Sequence, residues 1–103
     1  MEKEIKDYRE KACDIYGEIA TINRAFDEMS DTENLYYYAQ FFYNRTNMLI
    51  QELKKILSKL KDWSLSDGQK EHISNIKSKL WCACSDEFRY EVGKNFKEFT
   101  VID

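Results

Sequence analysis

The chain has 103 residues, no proline, three glycines and a formal charge of -3, with 34% charged and 43% hydrophobic residues. That length suits one domain with its own core, and the scarcity of helix breakers favours long helices joined by short turns. The small net charge argues against strong attraction to DNA or imitation of it, and no run approaches the roughly 20 apolar residues that a membrane-spanning helix takes.

The first segment carries Ile5, Tyr8, Ala12, Ile15, Ile19, Ile22, Phe26 and Met29, spaced alternately by three and four. This heptad spacing predicts a helix over about 3–29, packed along one seam. Charged residues such as Lys3, Glu4, Asp7, Glu10 and Lys11 lie between the seam positions and form the solvated face of an amphipathic helix.

Ser30-Asp31-Thr32-Glu33 has the spelling of a capping box, in which the serine hydroxyl and the glutamate carboxylate each satisfy a free amide at a helix start. It predicts a second helix over about 31–63, with the seam Leu35, Ala39, Phe42, Thr46, Leu49, Leu53, Ile56, Leu60 and Trp63. Tyr36, Tyr43, Ile50 and Leu57, each one residue past the seam, widen the stripe enough to meet two neighbouring helices.

A second capping box, Ser66-Asp67-Gly68-Gln69, opens a third helix predicted over about 67–92, with Ile73, Ile76 and Leu80 facing inward. Beyond Leu80 the apolar set becomes Cys84, Phe88, Val92, Phe96 and Phe99, spaced mostly by four, so the buried face drifts around the helix. A break or kink is expected near Gly93, with a tail over 93–103. The expected fold is therefore all-α: one domain over 1–103, an elongated antiparallel three-helix bundle (up-down-up) with a short C-terminal tail or a kinked extension of the third helix.

Six aromatic rings crowd positions 36–43 of the second helix. With Leu35 and Phe42 at d and Ala39 at a, Tyr36 and Tyr43 fall at e and Tyr38 at g, beside the seam, where partner helices can cover them. Phe41 and Tyr37 fall at c and f, about 130° and 170° from the seam's centre, and point outward. Met48 lies one heptad beyond Phe41, and Arg45 lies between them. Tyr37, Tyr38, Phe41, Arg45 and Met48 are thus the candidate partner-binding residues, because exposed sets of this composition mark protein contact surfaces. The small residues Cys13, Gly17 and Ala20, opposite the isoleucine seam of the first helix, form a second, weaker interface candidate.

No chemistry of a catalytic or metal site emerges. Cys82 and Cys84, two residues apart, point about 160° away from each other on a helix, and His72 is the sole histidine, which leaves no converging metal ligands or Cys-His pair. There is no glycine-rich phosphate loop, and neither enzyme activity nor a cofactor is expected. Residues 45–80 hold eight basic and four acidic side chains, whereas residues 1–34 hold five basic and ten acidic. Lys54, Lys55, Lys59 and Lys61 are the candidate phosphate contacts. Nucleic-acid binding ranks second nonetheless, since lysines without arginine or stacking rings usually form a solvated face.

The opening MEKEIKDYREK has no apolar h-region, and three cysteines make no even disulfide framework, so a cytoplasmic protein is expected. The leading expectation is a small non-enzymatic module that binds another protein as regulator, adaptor or steric inhibitor, of the immunity, antitoxin or anti-defence type, and that forms a homodimer. The alternatives are a nucleic-acid-binding helical module and a self-assembling structural coiled coil.

Overall fold

The computed structural model describes residues 2–29 and 35–94. Among them the chain forms α1 (Glu2–Asp27), α2 (Leu35–Leu57), α3 (Asp67–Ala83) and α4 (Asp86–Lys94), and no strand. The molecule is elongated, 49 × 30 × 20 Å.

Pairs across the helices fix the topology. Along α1, Lys11, Glu18 and Phe26 meet Glu52, Arg45 and Phe42 of α2, so the two helices run antiparallel. Tyr16 and Asp27 of α1 meet His72 and Lys79 of α3, which makes α1 and α3 parallel. The result is an up-down-up bundle of three long helices, the all-α architecture that the heptad spacing predicts. Its seams supply the core: Ala12, Ile15, Ile19 and Phe26 from α1, Ala39, Leu49, Leu53 and Ile56 from α2, and Ile73, Ile76 and Leu80 from α3 are all buried. Tyr43 and Ile50, beside the α2 seam, are buried too, as a helix between two neighbours requires.

Two helix boundaries differ from the sequence expectation. Helix α2 stops at Leu57 instead of reaching 63. Its last turn tightens through N–H donations from Lys59 to the Ile56 carbonyl and from Leu60 to the Leu57 carbonyl, and the Ser58 hydroxyl donates to the Lys55 carbonyl at 2.7 Å. The chain then leaves the helical path so that Leu60 and Leu65 are both buried. Near this end of α1 cover is thin, since Ile5 is 40% exposed, although Lys59 still reaches the Tyr8 ring. Turning back lets two leucines close the end of the core, an area term of roughly 1.5–3 kcal/mol per buried side chain.

Helix α3, in turn, ends at Ala83, ahead of the expected break near Gly93. Cys84 takes an extended conformation (φ -73°, ψ 159°), its N–H donates to the Trp81 carbonyl, and its thiol donates to the Leu80 carbonyl at 3.2 Å. The Ser85 hydroxyl accepts from the Phe88 N–H at 3.2 Å and pairs with Gln40 Oε1 at 3.1 Å, starting α4 while tying it to α2. Asp86 and Glu87 occupy the first turn of α4, where carboxylates complement the helix dipole. The drift past Leu80 is therefore a change of helix, and Gly93 lies inside α4. The capping box at Ser66 forms as predicted, with Gln69 N–H to Ser66 Oγ at 3.1 Å and Ser66 N–H to Gln69 Oε1 at 2.9 Å. The capping box at Ser30 and the tail from Asn95 onward lie outside the described residues.

Candidate functional site

The aromatic run of α2 divides between core and surface. Tyr43 is fully buried against Trp81, with ring centroids 5.2 Å apart, and against Phe88 at 6.1 Å. Phe42 is half-buried and meets the buried Phe26 of α1 edge-on at 6.4 Å. Tyr37 and Phe41 point outward, 67% and 58% exposed, and Met48 is exposed as well. Tyr36 departs from expectation: its e position predicts cover, yet it is 60% exposed. The cause is the end of α3. Tyr43, one heptad further along the same face, is covered by Trp81, but the chain turns away at Ser85, level with Gln40, and α3 goes no further along α2 to reach Tyr36.

The exposed rings are held in contact with one another. Tyr37 meets Tyr38 edge-on at 5.5 Å, Tyr38 lies tilted over Phe42 at 6.4 Å, and Phe41 meets Phe42 edge-on at 5.8 Å. Phe42 thereby connects the surface rings to Phe26 in the core. Next to them lies a groove of about 370 Å³ between α1 and α2, lined by Glu18, Thr21, Ile22, Phe41, Phe42 and Arg45. Arg45 spans the groove's rim to Glu18 at 3.5 Å. Of the residues singled out in the sequence, Tyr37, Tyr38, Phe41 and Arg45 thus share one end of the α1/α2 face, with Met48 exposed one heptad beyond Phe41. The groove's α1 wall, Glu18, Thr21 and Ile22, is not among the residues singled out in the sequence, because antiparallel packing without a known register does not say which α1 residues face Arg45.

The small-residue stripe of α1 is open. Cys13 and Gly17 are exposed, Ala20 is half-buried, and a Cβ placed on Gly17 would meet no neighbour within 4 Å. Among the described residues nothing uses the close approach that Gly17 permits.

The four candidate lysines do not line one cavity. Lys59 sits 5.1 Å from the centroid of the Tyr8 ring, and Lys55 is exposed on α2. Lys54 and Lys61 instead join Lys70 of α3, a residue the sequence reading did not single out for phosphate contact, around a cavity of about 580 Å³. Deeper in the bundle Lys77 is 1% exposed, with its ammonium 5.9 Å from the Tyr43 ring centroid. Burial, and then the nearby Lys54 charge, lower its pKa from 10.5 to about 8. Cys84 is a core side chain, 2% exposed, and burial raises its thiol to about 11, which disfavours the thiolate.

Among the described residues no three or more His, Cys, Asp or Glu side chains are placed to hold a metal ion, and no helix is long and apolar enough to cross a membrane. His72 accepts from or donates to the Tyr16 hydroxyl at 2.8 Å and is half-buried in the α1/α3 contact. Comparison with protein-family models, curated proteins and solved structures returned no match to the chain, so its function rests on what these surfaces can do.

Proposed function

We propose that the protein is a non-enzymatic, cytoplasmic protein-binding module that acts as a regulator, adaptor or steric inhibitor through the aromatic face of α2. The observation that carries this reading is the set of exposed rings Tyr36, Tyr37, Tyr38 and Phe41 next to the Ile22/Phe42 groove. Large apolar side chains clustered on a surface favour a protein partner, and rings braced by their neighbours lose little conformational entropy on binding. The partner would insert an apolar side chain between Phe41 and Ile22, with Arg45 free to exchange Glu18 for a partner carboxylate. The immunity, antitoxin or anti-defence role remains the biological setting we favour for so small a module.

The test is affinity capture from the native cytoplasm with nuclease present, using wild type and two variants. Tyr37→Ala with Phe41→Ala should abolish capture while leaving helicity intact, because binding energy concentrates in aromatic anchors. Gln at Lys54, Lys55, Lys59 and Lys61 should change association rate and salt sensitivity and leave capture in place. Capture that survives loss of both rings but disappears with the lysines or with nuclease would transfer the assignment to the nucleic-acid-binding alternative.

A further inference from the structure

The end of the bundle where α2 leads into α3 carries a second feature, independent of the aromatic face. The cavity there, about 580 Å³, is walled by Lys54 from α2, Lys61 and Trp63 from the connection, and Lys70 from the first turn of α3. That volume lies within the range of roughly 300–1,000 Å³ typical of small-molecule sites. Three lysines line it against the single carboxylate of Asp62, so the wall has a positive excess. Neither Lys61 nor Lys70 joins an ion pair among the described residues, whereas Lys11, Lys79, Arg45 and Arg89 all have carboxylate partners. Lys70 is also placed in the first turn of α3, where the helix dipole disfavours a cation. Trp63 lines both this cavity and a neighbouring one of about 300 Å³ on the α1 side, walled by Tyr8, Arg9 and Lys59.

We infer that this corner binds a small phosphate-bearing molecule with a planar ring, of the nucleotide class. Its phosphates lie among Lys54, Lys61 and Lys70, and its ring rests on Trp63. Concavity decides against a nucleic-acid backbone. A backbone tracks lysines along an open groove or ridge, but Lys55 and Lys59 of the same sequence cluster lie outside this cavity, which the remaining lysines enter from three separate segments. A lysine is a point charge suited to phosphate oxygen, and a tryptophan face is suited to a base.

The experiment is calorimetric titration of the full chain with adenosine triphosphate, inorganic pyrophosphate, unphosphorylated adenosine and a short single-stranded oligonucleotide, alongside the nuclear magnetic resonance signal of the Trp63 indole N–H. Adenosine triphosphate should bind and shift the Trp63 signal, and pyrophosphate and adenosine should each bind at least about tenfold more weakly, since each lacks one half of the recognition. Lys61→Gln with Lys70→Gln should weaken adenosine triphosphate about tenfold or more, given the strength of hydrogen bonds to charged groups. Both residues lie outside the buried core, and an unchanged circular dichroism melt would show that the variant folds. Tyr37→Ala with Phe41→Ala should leave this binding unaltered, which separates it from the protein-binding surface. The inference is overturned by the absence of heat and of a Trp63 shift at millimolar adenosine triphosphate, or by binding that is indifferent to the lysine substitutions. Tighter binding of the oligonucleotide would overturn it in favour of a nucleic-acid surface.

Discussion

Lys77 shows how one buried charge sets the response to pH. It is protonated near pH 10.5 and below in the unfolded chain but only below about 8 in the fold, because burial and the Lys54 charge disfavour the ammonium. Between these values the unfolded state binds more protons, so stability rises as pH increases through that window. Cys84 acts in the opposite direction: its thiol is pushed from 9.0 to about 11 by burial, and stability falls as pH climbs from 9 toward 11. Urea unfolding should therefore show a gain of roughly 0.5–1 kcal/mol between pH 8 and 9 that levels off above it. In Lys77→Met that gain should vanish, and the variant should be the more stable protein at pH 7, where the wild type still buries a charge. Wild-type stability that declines steadily from pH 8 would contradict this account.

At the scale of the helices, the seam of α2 and its outer face separate cleanly. Leu53→Ala removes a fully buried side chain and should cost about 2–5 kcal/mol, while Phe41→Ala, on a 58% exposed residue, should cost under about 1 kcal/mol in the same denaturant titration. Ser85→Ala should cost about 1 kcal/mol, since it removes both the cap of α4 and the tie to Gln40. Loss of protection at the Phe88 amide in hydrogen exchange is the direct readout. The long seams were legible in the sequence because their three-four spacing never slips, and the outward rings Tyr37 and Phe41 followed from the same geometry. The boundaries were not. Helix α2 ends without glycine or proline, through a serine that bonds back to Lys55 and two leucines that find better burial off the helix axis. Local propensity does not see either effect. The start of α4 was readable in principle, as Ser85 followed by Asp86 and Glu87, but the four-residue spacing of Leu80, Cys84, Phe88 and Val92 hid it by mimicking one continuous helix. Tyr36 was misplaced because its exposure depends on where a different helix stops. The lysine cavity was invisible because its walls converge only once the connection has folded back.

For the whole molecule, the exposed rings bear on association. A face carrying Tyr36, Tyr37, Tyr38, Phe41 and Met48 in water favours self-association, and a homodimer at micromolar concentration is the expected outcome of analytical sedimentation. Phe41→Glu should return the protein to a monomer, and a wild type that sediments as a monomer would leave the face to a foreign partner alone. The antiparallel register has a further consequence, for kinetics. Phe26 meets Phe42 sixteen residues along the chain, and α1 and α2 can zip from that pair toward Lys11 and Glu52 before α3 is needed. Such hairpin-first assembly pays little loop-closure entropy, which places folding in the microsecond-to-millisecond range of helical bundles. It also leaves Tyr43 bare until Trp81 arrives, and with that contact made late, after the hairpin, substitutions at Trp81 should slow folding less than they hasten unfolding.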